Sequence, residues 1–358
     1  MNRPARPEVL APAGDPDALR AAIQAGADAV YFGLQGFNAR ARATNFDAAS
    51  LRDTMDLLHA HGVRGYVTLN TLVFDAELPA VEAALRACAA AGVDAVIVQD
   101  LAVVRLARAI APELPVHAST QMTCTDAGAV EFAAALGASR VILARELSLD
   151  DIAKIRAATD IPVEVFVHGA LCVAYSGQCL TSEAIGGRSA NRGACAQACR
   201  LPYSLVVDGE ARDTGDRAFL LSPEDLEASA LIPQLSALGV ASVKIEGRLK
   251  ADSYVGATTA LYRQAVDAAA GEASAPNDAT RGALDVEAVD GDRPHASTAS
   301  TSSAPRVASR RACGSAPIDR SARSPSADAS SAPTIRAPPR PRSRSRPRAS
   351  PSTCAWPA

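Results

Sequence analysis

Through residue 271 the chain alternates between short, nearly continuous apolar runs and longer stretches rich in Ala and Leu. The short runs, dominated by Val, Ile and aromatic residues, have the character of strands buried on both faces. Eight such runs stand out: EVLAP (8–12), AVYFG (29–33), RGYVTLN (64–70), AVIVQ (95–99), PVHAS (115–119), RVILAR (140–145), PVEVFVHG (162–169) and SVKIEG (242–247). Between most of them lie segments of helical period, such as DPDALRAAIQA (15–25), LPAVEAALRACAAA (78–91) and DAGAVEFAAAL (126–136). The joint from helix to strand repeats, with Gly26, Gly62, Gly92, Gly137 and Gly239 each standing just before a β-rich run. Glycine suits that place because it closes the last helical turn in the left-handed conformation.

Repeated helix–Gly–strand units imply an α/β fold with parallel strands. Eight strands over this length match a (β/α)8 TIM-like barrel, with residues 1–271 as the barrel domain. A doubly wound open sheet is the alternative, but no glycine-rich nucleotide fingerprint follows the first strand. In a barrel the active site lies at the C-terminal edge of the strands. The polar residues near that edge are Asn70, Gln99, His117, Gln121, Glu164, His168, Lys244 and Glu246.

From residue 272 onward the periodicity vanishes, and Ser, Ala, Pro, Thr and Arg dominate up to RAPPRPRSRSRPRASPS. The segment 272–358 reads as a disordered low-complexity tail, or as the product of a shifted reading frame. An arginine tract that binds RNA is a third reading. Charge follows the same division. The formal net charge is −3, yet residues 301–358 hold eleven Arg and only two acids, which leaves about −12 for residues 1–300. An acidic body argues against nonspecific nucleic-acid binding across its whole surface, though not against a local basic groove. No apolar run is long enough for a membrane helix or, at the start, for a secretion signal, so a cytoplasmic, reducing location is expected.

In that setting the cysteines change the picture. Cys172, Cys179, Cys195 and Cys199, with gaps of six, fifteen and three residues, directly follow the seventh predicted strand. They form an insertion before the eighth strand and thus belong at the barrel mouth. Four thiolates complete a tetrahedral zinc site or an iron–sulfur cluster, and the spacing by itself leaves both open. Gly177, Gly186, Gly187 and Gly193 would let backbone N–H groups approach cluster sulfurs, or simply let the loop turn. Arg188, Arg192 and Arg200 would offset thiolate charge, bind an anion or remain solvated.

The segments EVFVHGALCVAYSGQCLTS (164–182) and SANRGACAQACRLPY (189–203) resemble the signature of peptidase family U32, the collagenase-like proteases. LAPAGD (10–15), YVTLNTLV (66–73), ARELSL (144–149) and KIEGRLK (244–250) support the likeness, which covers residues 8–270 in order. The family's usual downstream segment is not recognisable. The resemblance implies a cysteine-bound [4Fe–4S] cluster held by Cys172, Cys179, Cys195 and Cys199. It further implies oxygen-independent hydroxylation of a tRNA or rRNA base, with prephenate as an accessory substrate. Alternatives within the family are proteolysis, and a ubiquinone-linked role that needs a sister U32 subunit.

Candidate catalytic residues are His168 at the end of the seventh strand, and Lys244 with Glu246 on one face of the eighth. His168 and His117 are equally suited to packing roles. Lys244 and Glu246 read as an acid–base pair, a substrate anchor or a structural ion pair. Glu164, if it points inward, requires a partner, for which Lys244 is the candidate. Proteolysis has little mechanism here, with no HExxH helix and no GxSxG turn. A Cys172–His117 or Cys172–His168 nucleophilic pair would leave the other clustered thiols without a role.

Overall fold

The computed structural model describes residues 6–41 and 43–272, with the backbone of Thr334–Arg336; the rest of the expected tail lies outside the described residues. All eight predicted strands form: β1 (Glu8–Ala13), β2 (Ala29–Gly33), β3 (Arg64–Leu69), β4 (Ala95–Val98), β5 (Val116–Ala118), β6 (Arg140–Ile142), β7 (Val163–Ala170) and, after further elements, β11 (Ser242–Ile245). They pair in parallel in the order β1 to β7, then β11, which pairs again with β1 and closes the barrel. Helices α1 (Pro16–Gln24), α2 (Leu51–Ala60), α3 (Leu78–Ala91), α4 (Leu101–Ile110), α5 (Ala127–Leu136) and α6 (Leu149–Ala158) connect successive strands. The short α7 (Thr181–Gly186) and α8 (Ile232–Ala237) lie between β7 and β11, and α9 (Asp252–Ala269) follows β11.

The local signals behave as their chemistry requires. The five glycines before strands all hold positive φ, from 70° to 114°. At the opposite joint, side chains close the helix starts: Asp15 for α1, Asp100 for α4, Asp126 for α5 and Ser148 with Asp151 for α6. Each such cap contributes about 1 kcal/mol and sets where the chain turns after leaving a strand. Apolar residues on the outer faces of the strands, including Val9, Val67, Val96, Val141 and Val243, pack beneath the helices.

The described residues divide into two compact units: residues 6–199 with 223–272, and residues 200–222 with Thr334–Arg336. The first holds the barrel, to which β10 (Asp225–Glu227) adds an antiparallel edge beside the end of β7. In the second, β8 (Ser204–Val207) and β9 (Glu210–Arg212) make a hairpin, and β12 (Thr334–Arg336) pairs antiparallel with β8. The two hairpin turn residues, Asp208 and Gly209, both hold positive φ, as a tight two-residue turn demands. Residues 200–222, which lie within the bounds expected for the barrel domain, belong to this second unit.

Candidate active site

The barrel interior is polar at its base. Glu8 accepts from Tyr66 Oη at 2.9 Å, Arg140 Nη1 at 2.8 Å and Ser242 Oγ at 3.2 Å, and it also pairs with Arg64. Arg140 reaches Glu164 Oε2 at 3.5 Å, and Lys244 Nζ donates to Glu164 Oε1 at 2.8 Å. The partner expected for Glu164 is thus the one it has. Burial works to raise the Glu164 carboxyl, but Lys244 and Arg140 outweigh it and hold the group below its ordinary range. Burial pulls Lys244 down against the opposing attraction of Glu164. His117 lies edge-on to Tyr66 with its ring centroid 4.9 Å away. Burial, then the Arg140 cation, pushes it down to about 3, so it is a neutral core residue.

Above this layer a cavity of about 130 Å³ opens at the C-terminal edge of the strands. Cys172, Cys179, Cys195 and Cys199 all line it, together with Lys244 and Glu246. Asn70 and Gln121 line it too, whereas Gln99, whose Nε2 donates to Gln121 O at 3.4 Å, stands behind. His117 and Glu164 lie deeper in the interior.

His168 is a correction. A regular strand would turn it inward, like Glu164 and Phe166. However, the β7–β11 register shifts between Lys244, paired with Phe166, and Ile245, paired with His168. The extra residue, Val167, is a bulge that flips the side chain to the opposite face. His168 therefore packs against α9, with ring centroids 5.9 Å from Tyr254 and 5.5 Å from Tyr262, and its Nδ1 lies 3.2 Å from Tyr262 Oη. That hydroxyl donates to Val167 O at 2.6 Å, so Nδ1 carries the proton and donates. Burial lowers the His168 pKa, and the group has no place in the cavity.

Lys244 and Glu246 share the cavity wall but do not pair with each other. Glu246 is held by Arg40 at 2.6 Å and Arg145 at 3.0 Å. Burial would raise its carboxyl, yet the two guanidinium groups bring it down to about 2. Arg145 also lies 3.8 Å over the Phe166 ring and donates to Ala170 O at 2.6 Å. Arg248 is buried beside Thr68, donating to its Oγ1 at 2.9 Å. These three arginines were absent from the sequence-derived candidates. Arg145 and Arg248 do sit in ARELSL and KIEGRLK, a few residues past strand ends, where a barrel presents chemistry.

The loop that bears the thiols is fastened to its neighbours. Ser176 donates through N and Oγ to Glu146, both at 2.8 Å, and its carbonyl accepts from Thr123 Oγ1 at 2.6 Å. Arg192 forks onto Glu77 at 2.6 and 2.7 Å and lies 4.3 Å over the Phe74 ring, so its role is to pin the loop. Ser182 Oγ accepts from Ala196 N at 2.9 Å and approaches Cys195 Sγ to 3.9 Å. Gly177 and Gly193 hold φ of 74° and 78°; a Cβ would meet Gln121 O at 2.1 Å and Asn38 O at 2.3 Å respectively. Close backbone approach is what these two glycines permit.

None of the six described cysteines is in a disulfide. Four thiols facing one cavity are the donor set that zinc or an iron–sulfur cluster takes. Even so, among the described residues no three His, Cys, Asp or Glu side chains are grouped as a metal site. The thiols ring the mouth without forming a ready-made coordination sphere. The donor chemistry fits a metal centre, and forming one requires the loop to draw its sulfurs together. Among the described residues no helix is long and apolar enough to cross a membrane.

The described residues thus form an eight-stranded parallel barrel with four thiols lining the cavity at its C-terminal edge. The chain belongs to peptidase family U32, whose profile matches residues 14–290. It is 47% identical over 266 residues to a 23S rRNA 5-hydroxycytidine synthase of Escherichia coli (strain K12), an alignment covering 74% of this chain and 40% of that protein. Identity to tRNA hydroxylation protein P1 of Bacillus subtilis (strain 168) is 37% over 268 residues, covering 74% of this chain and 64% of the relative. Identity to a collagenase of Porphyromonas gingivalis is 36% over 278 residues, covering 73% and 66% respectively. The chain thus spans between two fifths and two thirds of the length of these relatives.

Proposed function

We propose that this chain is the barrel part of an RNA-modifying hydroxylase that acts on a tRNA or rRNA base in the cytoplasm, with Cys172, Cys179, Cys195 and Cys199 holding a [4Fe–4S] cluster. The single observation that carries the reading is that all four thiols line one cavity, which Lys244 and Glu246 also line. Relatives named for rRNA and tRNA hydroxylation support the substrate class. When bound, the cluster would supply one-electron chemistry at the barrel mouth. The chain's own residues do the rest. Arg40 and Arg145 keep Glu246 ionised, so it accepts hydrogen bonds rather than donating protons near neutral pH. Lys244, neutralised by Glu164, offers its remaining N–H donors to a ligand in the cavity. Phe166 and Tyr31 give that ligand apolar walls.

A peptidase is the second reading, favoured by the relative named as a collagenase. Among the described residues it has no nucleophile–base pair: no described histidine lines the cavity, His117 is buried below it and His168 faces α9. The ubiquinone-linked role and a sister subunit have no specific observation here to favour them.

The test has two arms. Anaerobic reconstitution of the full chain with iron and sulfide should give a brown protein with a broad violet absorbance, and Cys195→Ser with Cys199→Ser should abolish it. A colourless protein that retains one zinc would overturn the cluster. Mass spectrometry of RNA from a deletion strain should show the loss of one hydroxyl from one nucleotide, and unchanged RNA would overturn the substrate class.

A further inference from the structure

Large apolar side chains are exposed mainly at the rim of the barrel mouth. Of the twelve such residues exposed among the described residues, six follow strand ends there: Leu72 and Phe74 after β3, and Val173, Tyr175, Leu180 and Ile185 after β7. Exposed apolar surface gathered in one place marks a site of binding. Tyr175 is the most exposed of them, at 69%, yet it also lines the cavity. Its ring makes no aromatic or cation–π contact, and its hydroxyl no hydrogen bond, among the described residues. Packing within the barrel therefore gives no reason for a tyrosine at this point.

The backbone that carries this ring is firmly held. Ser176, next in sequence, is bonded to Glu146 through N and Oγ, and Gly177 lies against the Gln121 carbonyl. A ring fixed in this way costs little to order when a ligand arrives. Phe74 is presented similarly: it is 65% exposed, with Arg192 over one face at 4.3 Å and the other face left to solvent. Asn191, which lines the cavity, accepts from Leu72 N at 3.0 Å, so the loop that bears Phe74 is tied to the cavity wall. Arg188, exposed on the thiol-bearing loop, holds no ion pair among the described residues. Open aromatic faces beside an unpaired cation suit a single-stranded nucleic acid, since each base has a face to stack and each phosphate a charge to meet.

We infer that the rim is a stacking platform for unpaired RNA: one nucleotide beside the reacting base stacks on Tyr175, another on the open face of Phe74, and Arg188 meets the backbone. The platform rests on the hydroxylase reading for the base that enters the cavity, and it adds the residues that hold the strand outside. It also sets a selectivity, because bases within a duplex are already stacked on their neighbours and have no free face to offer. A protein face laid over the same rings would close the mouth, whereas a single strand that turns one base inward uses rings and cavity together.

Fluorescence anisotropy of the full chain tests this with a short fluorescein-labelled RNA of unstructured sequence, alone and annealed to its complement. The single strand should bind at least about tenfold more tightly than the duplex. Tyr175→Ala should weaken strand binding about tenfold, and Tyr175→Phe, which keeps the ring, should restore it. Phe74→Leu, which leaves Arg192 an apolar seat but removes the stacking face, should weaken it about fivefold. Arg188→Gln should reduce the slope of log affinity against log salt by about 0.7. Equal binding of strand and duplex, binding of neither, unaltered binding by Tyr175→Ala or Phe74→Leu, or an unchanged salt slope would each overturn the platform. Self-association in sedimentation velocity that Tyr175→Ala abolishes would also overturn it, by giving the rim to a second copy. Far-UV circular dichroism checks that the variants are folded. If Tyr175→Ala is not, ultraviolet cross-linking of the wild-type chain to the strand decides, by whether Tyr175 carries the nucleotide. Failed strand binding with a hydroxyl lost from the deletion strain's RNA sinks the platform alone, whereas Tyr175-dependent binding with unchanged RNA sinks the hydroxylase reading alone.

Discussion

Replacing Glu164 with Gln should be among the most damaging single-atom changes available in the barrel. Glu164 is fully buried and Lys244 is 4% exposed, at 2.8 Å from each other. Glu164→Gln keeps the shape and an acceptor oxygen for Lys244 Nζ, but removes the only carboxylate among the described residues that Lys244 pairs with. Breaking a buried pair from one side strands a charge, at a cost of about 3–5 kcal/mol. Arg140 is spared, because it retains Glu8 at 2.8 Å. The reciprocal change, Lys244→Met, should cost less, about 2 kcal/mol, since Glu164 keeps Arg140 at 3.5 Å. Removing both charges together should return most of the loss and leave the double variant within about 1.5 kcal/mol of wild type. Urea denaturation followed by far-UV circular dichroism measures all three. The single Glu164 variant should also lose about 10 °C in melting temperature, at about 2–4 °C per kcal/mol for a chain of this size. A double variant whose loss equals the sum of the two single losses would refute the reasoning, and so would a Glu164→Gln cost below about 1 kcal/mol.

Other consequences are as direct. Glu246 is held at about 2, below the ordinary value of 4.5. Its contribution to stability, about 2–3 kcal/mol, is therefore complete above pH 4.5 and lost as the pH falls towards 2. Glu246→Gln should flatten the acid limb of the stability–pH curve in that window, and an unchanged slope would count against the clamp. Gly193→Ala should destabilise the protein by about 1–3 kcal/mol, because its φ of 78° and the Asn38 carbonyl leave no room for a methyl group; thermal denaturation reads this out. His168→Phe should lower the melting temperature through the lost Tyr262 hydrogen bond, by about 1 kcal/mol of stability. It should leave the proposed RNA hydroxylation intact once the variant is folded, whereas a loss of that activity without a loss of stability would return His168 to the chemistry.

Much of the fold was legible because its signals are local. Continuous β-branched runs, glycines closing helices and acidic or hydroxyl caps opening them act within a few residues, so eight strands and their order could be read along the chain. The same locality placed the four cysteines after the seventh strand and hence at the mouth, and parity placed Lys244 and Glu246 on one wall. What the tertiary structure alone decided depends on partners far away in sequence. One bulged residue, set by how β7 registers with β11, turned His168 from the cavity to α9. Lys244 and Glu246 found different partners, because Arg40 and Arg145 arrive from the loops after β2 and β6. The bond from Arg248 to Thr68 is likewise invisible in its sequence neighbours, since the two lie far apart along the chain and meet only across the barrel. Sequence determines which side chains are offered at the rim; only the closed barrel determines which partners those charges find there.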